Sequence, residues 1–143
     1  MHRMLPEVPP IFHRKENRIM IDFTNGAILK LSRSNSLQHE TTLAPLLVDG
    51  ETVLSAYSTV RDFVVFTNKR IIAVNVQGLT GKKKDFSTLP YSKIQAFSVE
   101  TAGTFDLDAE LEIWFSGLGK VKFEFRGDCD ITEIGKMISE KIL

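Results

Sequence analysis

The chain has 143 residues, 43% of them hydrophobic and 25% charged, which suffices for one packed domain and is short for two. Its 18 basic residues balance 18 acidic ones, so no global positive field draws it to nucleic acid or an anionic membrane, and any such binding needs a local patch. A single cysteine, Cys129, excludes an internal disulfide and a cysteine-based zinc site and fits a reducing cytoplasm.

In chain order, residues 1–19 are charged, aperiodic and broken by Pro6, Pro9 and Pro10. They read as a flexible or non-native tail, without the apolar core of a signal peptide, and Met20 offers an alternative start. Residues 20–50 read as an N-terminal hairpin and helix extension. Asn25-Gly26 between apolar residues is a short-hairpin signal, and Ser32 to Ser36 form a polar connector. Leu37, Leu43, Leu46 and Leu47 then fall near helical spacing, which Pro45 limits. From Glu51 onward the texture is strand-like. Seven short runs, TVLSAY, RDFVVFT, RIIAVNV, KKDFSTL, IQAFSVE, AELEIWF and KVKFEF, are separated by turn residues, which predicts an antiparallel barrel or sandwich over residues 51–143. The chain closes on DITEIGKMISEKIL, where Asp130 and Glu133 form a capping-box-like start and Ile131, Ile134, Ile138 and Ile142 share one helical face. No apolar run reaches membrane-spanning length, so the sequence reads as soluble.

Seven strands and a C-terminal helix follow the pleckstrin-homology plan. The segments LAPLLVDGE, RDFVVFTNKRIIAV, QGLTGKKKDFSTLPYSKI and FSVETAGTFDLDAELEIWFSG resemble, in order, those of the bacterial pleckstrin-homology-like family, over Leu43 to Leu143. The resemblance implies a mainly β, seven-stranded antiparallel barrel or sandwich capped by one helix, a non-enzymatic cytoplasmic role, no cofactor and assembly into cyclic homo-oligomers. It supplies no catalytic residue.

The stretch GLTGKKK has the glycines and lysines of a phosphate loop without its spacing. A P-loop needs four residues between its glycines and Lys followed by Ser or Thr, whereas Gly78 and Gly81 are two apart and Lys82 precedes Lys83. The GXXG loop of an RNA-binding KH domain joins helices, and here the flanks read as strands. The glycines therefore read as hairpin residues with unusual backbone angles, and Lys82, Lys83 and Lys84 as a solvated end. These lysines are also the candidate anion-binding residues. Eukaryotic pleckstrin-homology domains usually hold phosphoinositides with basic residues around the loop joining the first two strands, which here is Ser58 to Arg61, with one arginine. An anionic-lipid or phosphate-binding membrane adaptor using Lys82 to Lys84 is therefore the alternative function.

Asp106, Asp108, Glu110 and Glu112 recur at every second residue, which on a strand places four carboxylates on one face. No EF-hand spacing accompanies them, so a solvated face partly offset by Lys120 and Lys122 is the reading, and no metal is expected. His2, His13 and His39 carry no recognisable metal or nucleophile motif.

The last expectation concerns assembly. DFVVF and RIIAVNV are apolar on both faces, with Phe63 and Val65 opposing Val64 and Phe66 on the first and Ile71 and Ala73 opposing Ile72 and Val74 on the second. One face of each strand then needs a cover, either the segment from Ile21 to Leu47 or a neighbouring protomer. The resemblance favours the neighbour, in a heterologous association that closes as a ring. Phe63, Val64, Phe66, Ile71, Ile72 and Trp114 are the apolar interface candidates. The acidic Asp106, Asp108, Glu110 and Glu112 are candidates to meet a neighbour's Lys82 to Lys84. A further protein partner stays open, nucleic acid is not expected and membrane contact is the lesser alternative.

Overall fold

The computed structural model describes residues 28–143, and side chains from Lys30 onward. The expectations for the 1–19 tail, the Met20 start, the Asn25-Gly26 turn, His2 and His13 lie outside the described residues. Strands β1 (Ile28–Ser34), β2 (Val53–Ser58), β3 (Phe63–Thr67), β4 (Arg70–Gln77), β5 (Lys83–Pro90), β6 (Ile94–Glu100), β7 (Ala109–Phe115) and β8 (Gly119–Phe125) are joined by helix α1 (Leu37–Leu43) and a 3-10 turn at Tyr91–Lys93, and helix α2 (Ile131–Ile142) ends the chain. The seven strand-like runs of the sequence become β2 to β8.

Among the described residues the strands form one eight-stranded sheet in the order β5-β4-β3-β2-β1-β8-β7-β6. The mainly β, helix-capped plan is as expected, but the sheet is not closed and has eight strands where a seven-stranded barrel or sandwich was expected, its extra strand coming from residues read as half a hairpin and half a connector. β1 joins the two halves. Its first part pairs parallel with β8 and its last part antiparallel with β2. The change of partner follows Leu31, and just before it the β1–β8 register is irregular between Ile28 and Leu31, where Lys30 has a φ of 61°, in the left-handed region that side-chain-bearing residues seldom occupy.

The main core lies inside the folded sheet, where Tyr57, Val64, Phe66, Ile71, Leu111, Phe123 and Phe125 pack with Ile131, Ile134 and Ile138 of α2. The aromatic rings of Tyr57 and Phe125 meet edge to face at 5.1 Å, a favoured geometry for such pairs. Helix α2 packs against β6, β7 and the 3-10 turn. Its start is capped as the sequence suggests, since the Asp130 carboxylate accepts from the Thr132 and Glu133 N–H groups at 3.1 and 3.2 Å.

A second cluster lies on the opposite face of β3 and β4, where Leu43 of α1 packs on Ala56, Phe63, Val65, Ile72 and Val74 with Leu47 at its margin. Helix α1 ends at Leu43, ahead of Pro45, and Leu46 and Leu47 continue as hydrogen-bonded turns back to the Leu43 carbonyl. The His39 ring stacks on Phe63 with centroids 4.0 Å apart. The outer apolar face is therefore covered from within the chain. This corrects the reason for assigning Phe63, Val64, Phe66, Ile71 and Ile72 to a protomer interface, because all of them are buried.

One ion pair pins this cover. Arg70 donates from Nε to Glu51 Oε2 and from Nη2 to Glu51 Oε1, both at 2.9 Å, and from Nη2 to the Leu46 carbonyl at 2.8 Å. Thr67 Oγ1 and the Val48 N–H complete the carboxylate's partners. The Glu51 side chain is 0% exposed. Burial opposes its ionisation, but the hydrogen bonds from Arg70, Thr67 and Val48 and the Arg70 charge outweigh that penalty and hold its pKa at about 2.

Candidate functional site

The β4–β5 hairpin turns as the sequence requires. Gly78 and Gly81 have φ of 79° and 70°, and their segment runs from strand to strand, without the helix that a phosphate loop needs. Lys82 lies in the turn, Lys83 and Lys84 open β5, and all three are exposed. Lys84 Nζ reaches the Gly81 carbonyl at 3.1 Å. The adjacent β2–β3 turn is tied to this hairpin, because Arg61 donates to the Gly78 carbonyl and the Val76 N–H donates to Asp62 Oδ1 at 2.9 Å. Leu79 and Val60, at the tips of the two turns, are fully exposed.

The acidic stripe divides. Glu110 and Glu112 lie on β7 and point away from the core, with Trp114 on the same face. Asp106 and Asp108 lie ahead of the strand in the β6–β7 loop, where Asp106 Oδ1 accepts from the Asp108 N–H at 3.1 Å and the Asp108 carboxylate pairs with Lys30. The expectation of four carboxylates on one strand face is thereby corrected, since the loop departs from the two-residue period. Lys122 pairs with Glu110 at 3.3 Å and Lys120 with Glu112 at 3.6 Å, the cross-strand offset that the sequence predicts. Trp114 is 36% exposed, opposite Ala96 of β6 and Lys120 of β8. The inward register of Ala109, Leu111, Ile113 and Phe115 is observed, all four being buried.

The sheet ends in two unlike edges. β5 carries Lys83 and Lys84, and β6 is mostly exposed and ends at Glu100. Each has a strand partner on one side only among the described residues. Elsewhere, His39 is buried and its Nε2 lies 3.1 Å from Ser34 Oγ; burial depresses its pKa, consistent with a core histidine. Burial and the neighbouring Asp128 carboxylate push the Cys129 thiol up to about 12, so it remains protonated and unreactive at neutral pH. Among the described residues no group of three or more His, Cys, Asp or Glu side chains is placed to hold a metal ion, and no helix is long and apolar enough to cross a membrane.

A mostly antiparallel sheet folded around its main core, with a C-terminal helix packed against β6, β7 and the 3-10 turn, is the plan of a pleckstrin-homology-like domain. Comparison with known proteins carries this further. The family model described as bacterial PH domain matches residues 22–142, and the chain belongs to that family. It is 45% identical over 119 residues to the uncharacterized protein YjqA of Bacillus subtilis (strain 168), an alignment covering 82% of this chain and 95% of YjqA. A DUF1696-family protein with a pleckstrin-homology domain from Shewanella loihica PV-4 has a solved structure that superposes with a TM-score of 0.71 at 40% identity, covering 82% of this chain and 100% of that one. The pleckstrin-homology domain from Shewanella amazonensis SB2B is also 40% identical, with a TM-score of 0.61 over 83% of this chain and 93% of its own.

Proposed function

We propose that the protein is a non-enzymatic cytoplasmic binding or scaffold module that assembles into a cyclic homo-oligomer. The observation that carries this reading is the pair of unlike edges, each with a strand partner on one side only among the described residues. An unprotected edge strand is a template for pairing, and β5 of one protomer meeting β6 of the next continues the sheet from molecule to molecule. Because the two edges differ, the contact is heterologous, and such contacts close as rings when the rotation per protomer permits. Lys83 and Lys84 on the β5 edge and Glu100 on the β6 edge supply complementary charge, and Glu110, Glu112 and Trp114 stand one strand in, on β7. The assembly uses edges and not the outer face of β3 and β4. Light scattering on micromolar protein tests it: a discrete mass of several protomers supports the ring, and a monomer mass refutes it.

A second reading rests on the exposed Leu79 beside Lys82 to Lys84, with Val60 on the adjoining turn. An apolar tip flanked by lysines suits an anionic lipid surface, where each basic residue adds about 1 kcal/mol. Co-sedimentation with anionic liposomes at low salt supports it if Lys82→Ala/Lys83→Ala/Lys84→Ala abolishes the binding, and failure of the wild type to co-sediment ends it.

A further inference from the structure

Helix α1 holds to the sheet by two side chains. Of its residues only His39 and Leu43 are buried, and at four positions apart they stand one above the other on one helical face. Leu43 enters the apolar cluster of Ala56, Phe63, Val65, Ile72 and Val74. His39, 7% exposed, lies flat on Phe63, with centroids 4.0 Å apart and 12° between the ring planes, and its Nε2 is 3.1 Å from Ser34 Oγ. No side chain caps the start of the helix, so these two contacts and the turn after Leu43 are what keep it in place.

A neutral imidazole suits this place and an imidazolium does not. Protonation makes both ring nitrogens donors. Ser34 Oγ can accept from Nε2, but among the described residues Nδ1 has no acceptor. The Phe63 face attracts a cation, yet it replaces only part of the hydration that burial removes. No counter-charge is at hand among the described residues. Glu40 on the helix itself is exposed, Arg33 on β1 lies 3.8 Å from Glu133, Asp62 ahead of β3 accepts from the Val76 N–H, and Glu51 and Arg70 are closed on each other. Burial is the one cause of the depressed His39 pKa.

We infer that α1 is an acid-released cover: protonation of His39 lifts the helix from Phe63 and opens the outer apolar face of β3 and β4, while the turn from Leu46 to Glu51 holds as its hinge. The hinge has a different acid limit. The Leu46 carbonyl accepts from Arg70 Nη2 at 2.8 Å, and the Glu51 N–H donates to the Val48 carbonyl at 3.0 Å. With a pKa of about 2, Glu51 keeps its charge, and Arg70 its partner, over the whole range in which an imidazole titrates. Once α1 has lifted, His39 is in water and takes up a proton near the ordinary pH of about 6.5. The open form then binds more protons than the closed one, so the open fraction grows as pH falls below 6.5, by up to about tenfold per pH unit, until the closed form is protonated too. Leu43 opposes the movement, because lifting the helix returns its side chain to water. The cover lies on a sheet face and the proposed assembly uses sheet edges, so opening needs no change of oligomeric state.

The test is amide hydrogen exchange on the isotope-labelled full chain between about pH 5 and 7.5, corrected for the intrinsic exchange rate. The Ala44 N–H, bonded to the Glu40 carbonyl at 2.8 Å, reports the helix, the Glu51 N–H reports the hinge, and the amides of β7 report global unfolding. The opening constant at Ala44 should exceed that of β7 and respond little to dilute urea, because a small surface is exposed. It should rise about tenfold per pH unit below 6.5, while Glu51 stays protected. His39→Gln keeps a hydrogen-bonding group for Ser34 and cannot titrate, so it should flatten that rise. The ring resonances of His39 in the wild type give a reading that needs no variant, and they should titrate below about 6.5. The proposal is overturned by a ring that titrates at the ordinary value or above it, by a pH dependence at Ala44 that survives in His39→Gln, by an Ala44 amide that opens only together with β7, or by a Glu51 amide that opens together with Ala44.

Discussion

The two halves of the sheet bury their strands in different ways. All five residues of β3 are buried, and along β4 Ile71 to Val74 are buried in succession, so the centre of this half is dry on both faces. In the other half, β7 alternates strictly between buried residues and the outward Glu110, Glu112 and Trp114, and β8 alternates likewise in Val121, Phe123 and Phe125. An uninterrupted apolar strand signals a second cover, and an alternating strand signals water. The cover over the dry half is small: a seven-residue helix and the turn after it, too short to be stable alone. Its placement depends on Leu43 below it and on the Glu51–Arg70 pair beside it.

Removing that pair's cation should break the comparison most. Arg70→Ala leaves the Glu51 carboxylate buried without its partner, and it also frees the Leu46 carbonyl. The expected cost is about 3–5 kcal/mol, measured as a fall in the urea midpoint. Replacing both partners together, with Glu51→Met/Arg70→Met, should recover much of that loss, because no uncompensated charge remains. Leu43→Ala should cost about 2–3 kcal/mol, at the low end for a buried leucine, since a short helix can settle into the space. Loosening α1 uncovers Phe63 and Val65, so this variant should also bind an apolar dye that the wild type ignores.

Acid should loosen the same half first. His39 is held neutral by burial, with its folded pKa below the ordinary 6.5. The unfolded chain therefore binds more protons there, and stability declines as pH falls below 6.5. Glu51 acts in the same direction at lower pH. Its folded pKa of about 2 lies below the ordinary 4.5, so its contribution is complete above 4.5 and fades as pH falls from there through 2. Denaturation measured across pH should show the wild type and Glu51→Gln converging below about 4.5 and parallel above it. An unchanging gap down to the lowest pH would remove Glu51 from the account of the acid transition.

Much of this difference could be read in the sequence. The period of two and the turn residues give β2 to β8, and the inward register of β7 follows from Ala109, Leu111, Ile113 and Phe115. The two-faced apolarity of DFVVF correctly demands a cover, but periodicity does not say whose chain supplies it. The Glu51–Arg70 pair does not decide it either, because the β2–β3–β4 ladder alone brings those positions together, and the bond that reaches the cover, from Arg70 to the Leu46 carbonyl, is visible only in the fold. β1 was not legible because its kink at Lys30 breaks the alternation, so ILKLSRS shows neither a clean strand nor a clean loop. The contact between Arg126 and the Lys30 carbonyl was not legible for a different reason: the two residues are 96 positions apart, and only the fold brings them together.

The smallest effect on the folded chain belongs to the wet half, and it is the one that separates stability from assembly. Trp114 is partly in solvent on a strand whose opposite face carries the core, so Trp114→Ala should change monomer stability by about 1 kcal/mol or less, well below Arg70→Ala. It is also the chain's one tryptophan, so its fluorescence reports that position alone. If neighbouring protomers join at the β6 edge, the indole becomes less hydrated on association. Diluting the protein should then move its emission to longer wavelength in step with the loss of scattered mass, and Trp114→Ala should weaken assembly more than it weakens folding. Emission that stays fixed while the mass falls would place the contact away from β6 and β7, and leave the dry and wet halves differing only in how they pack.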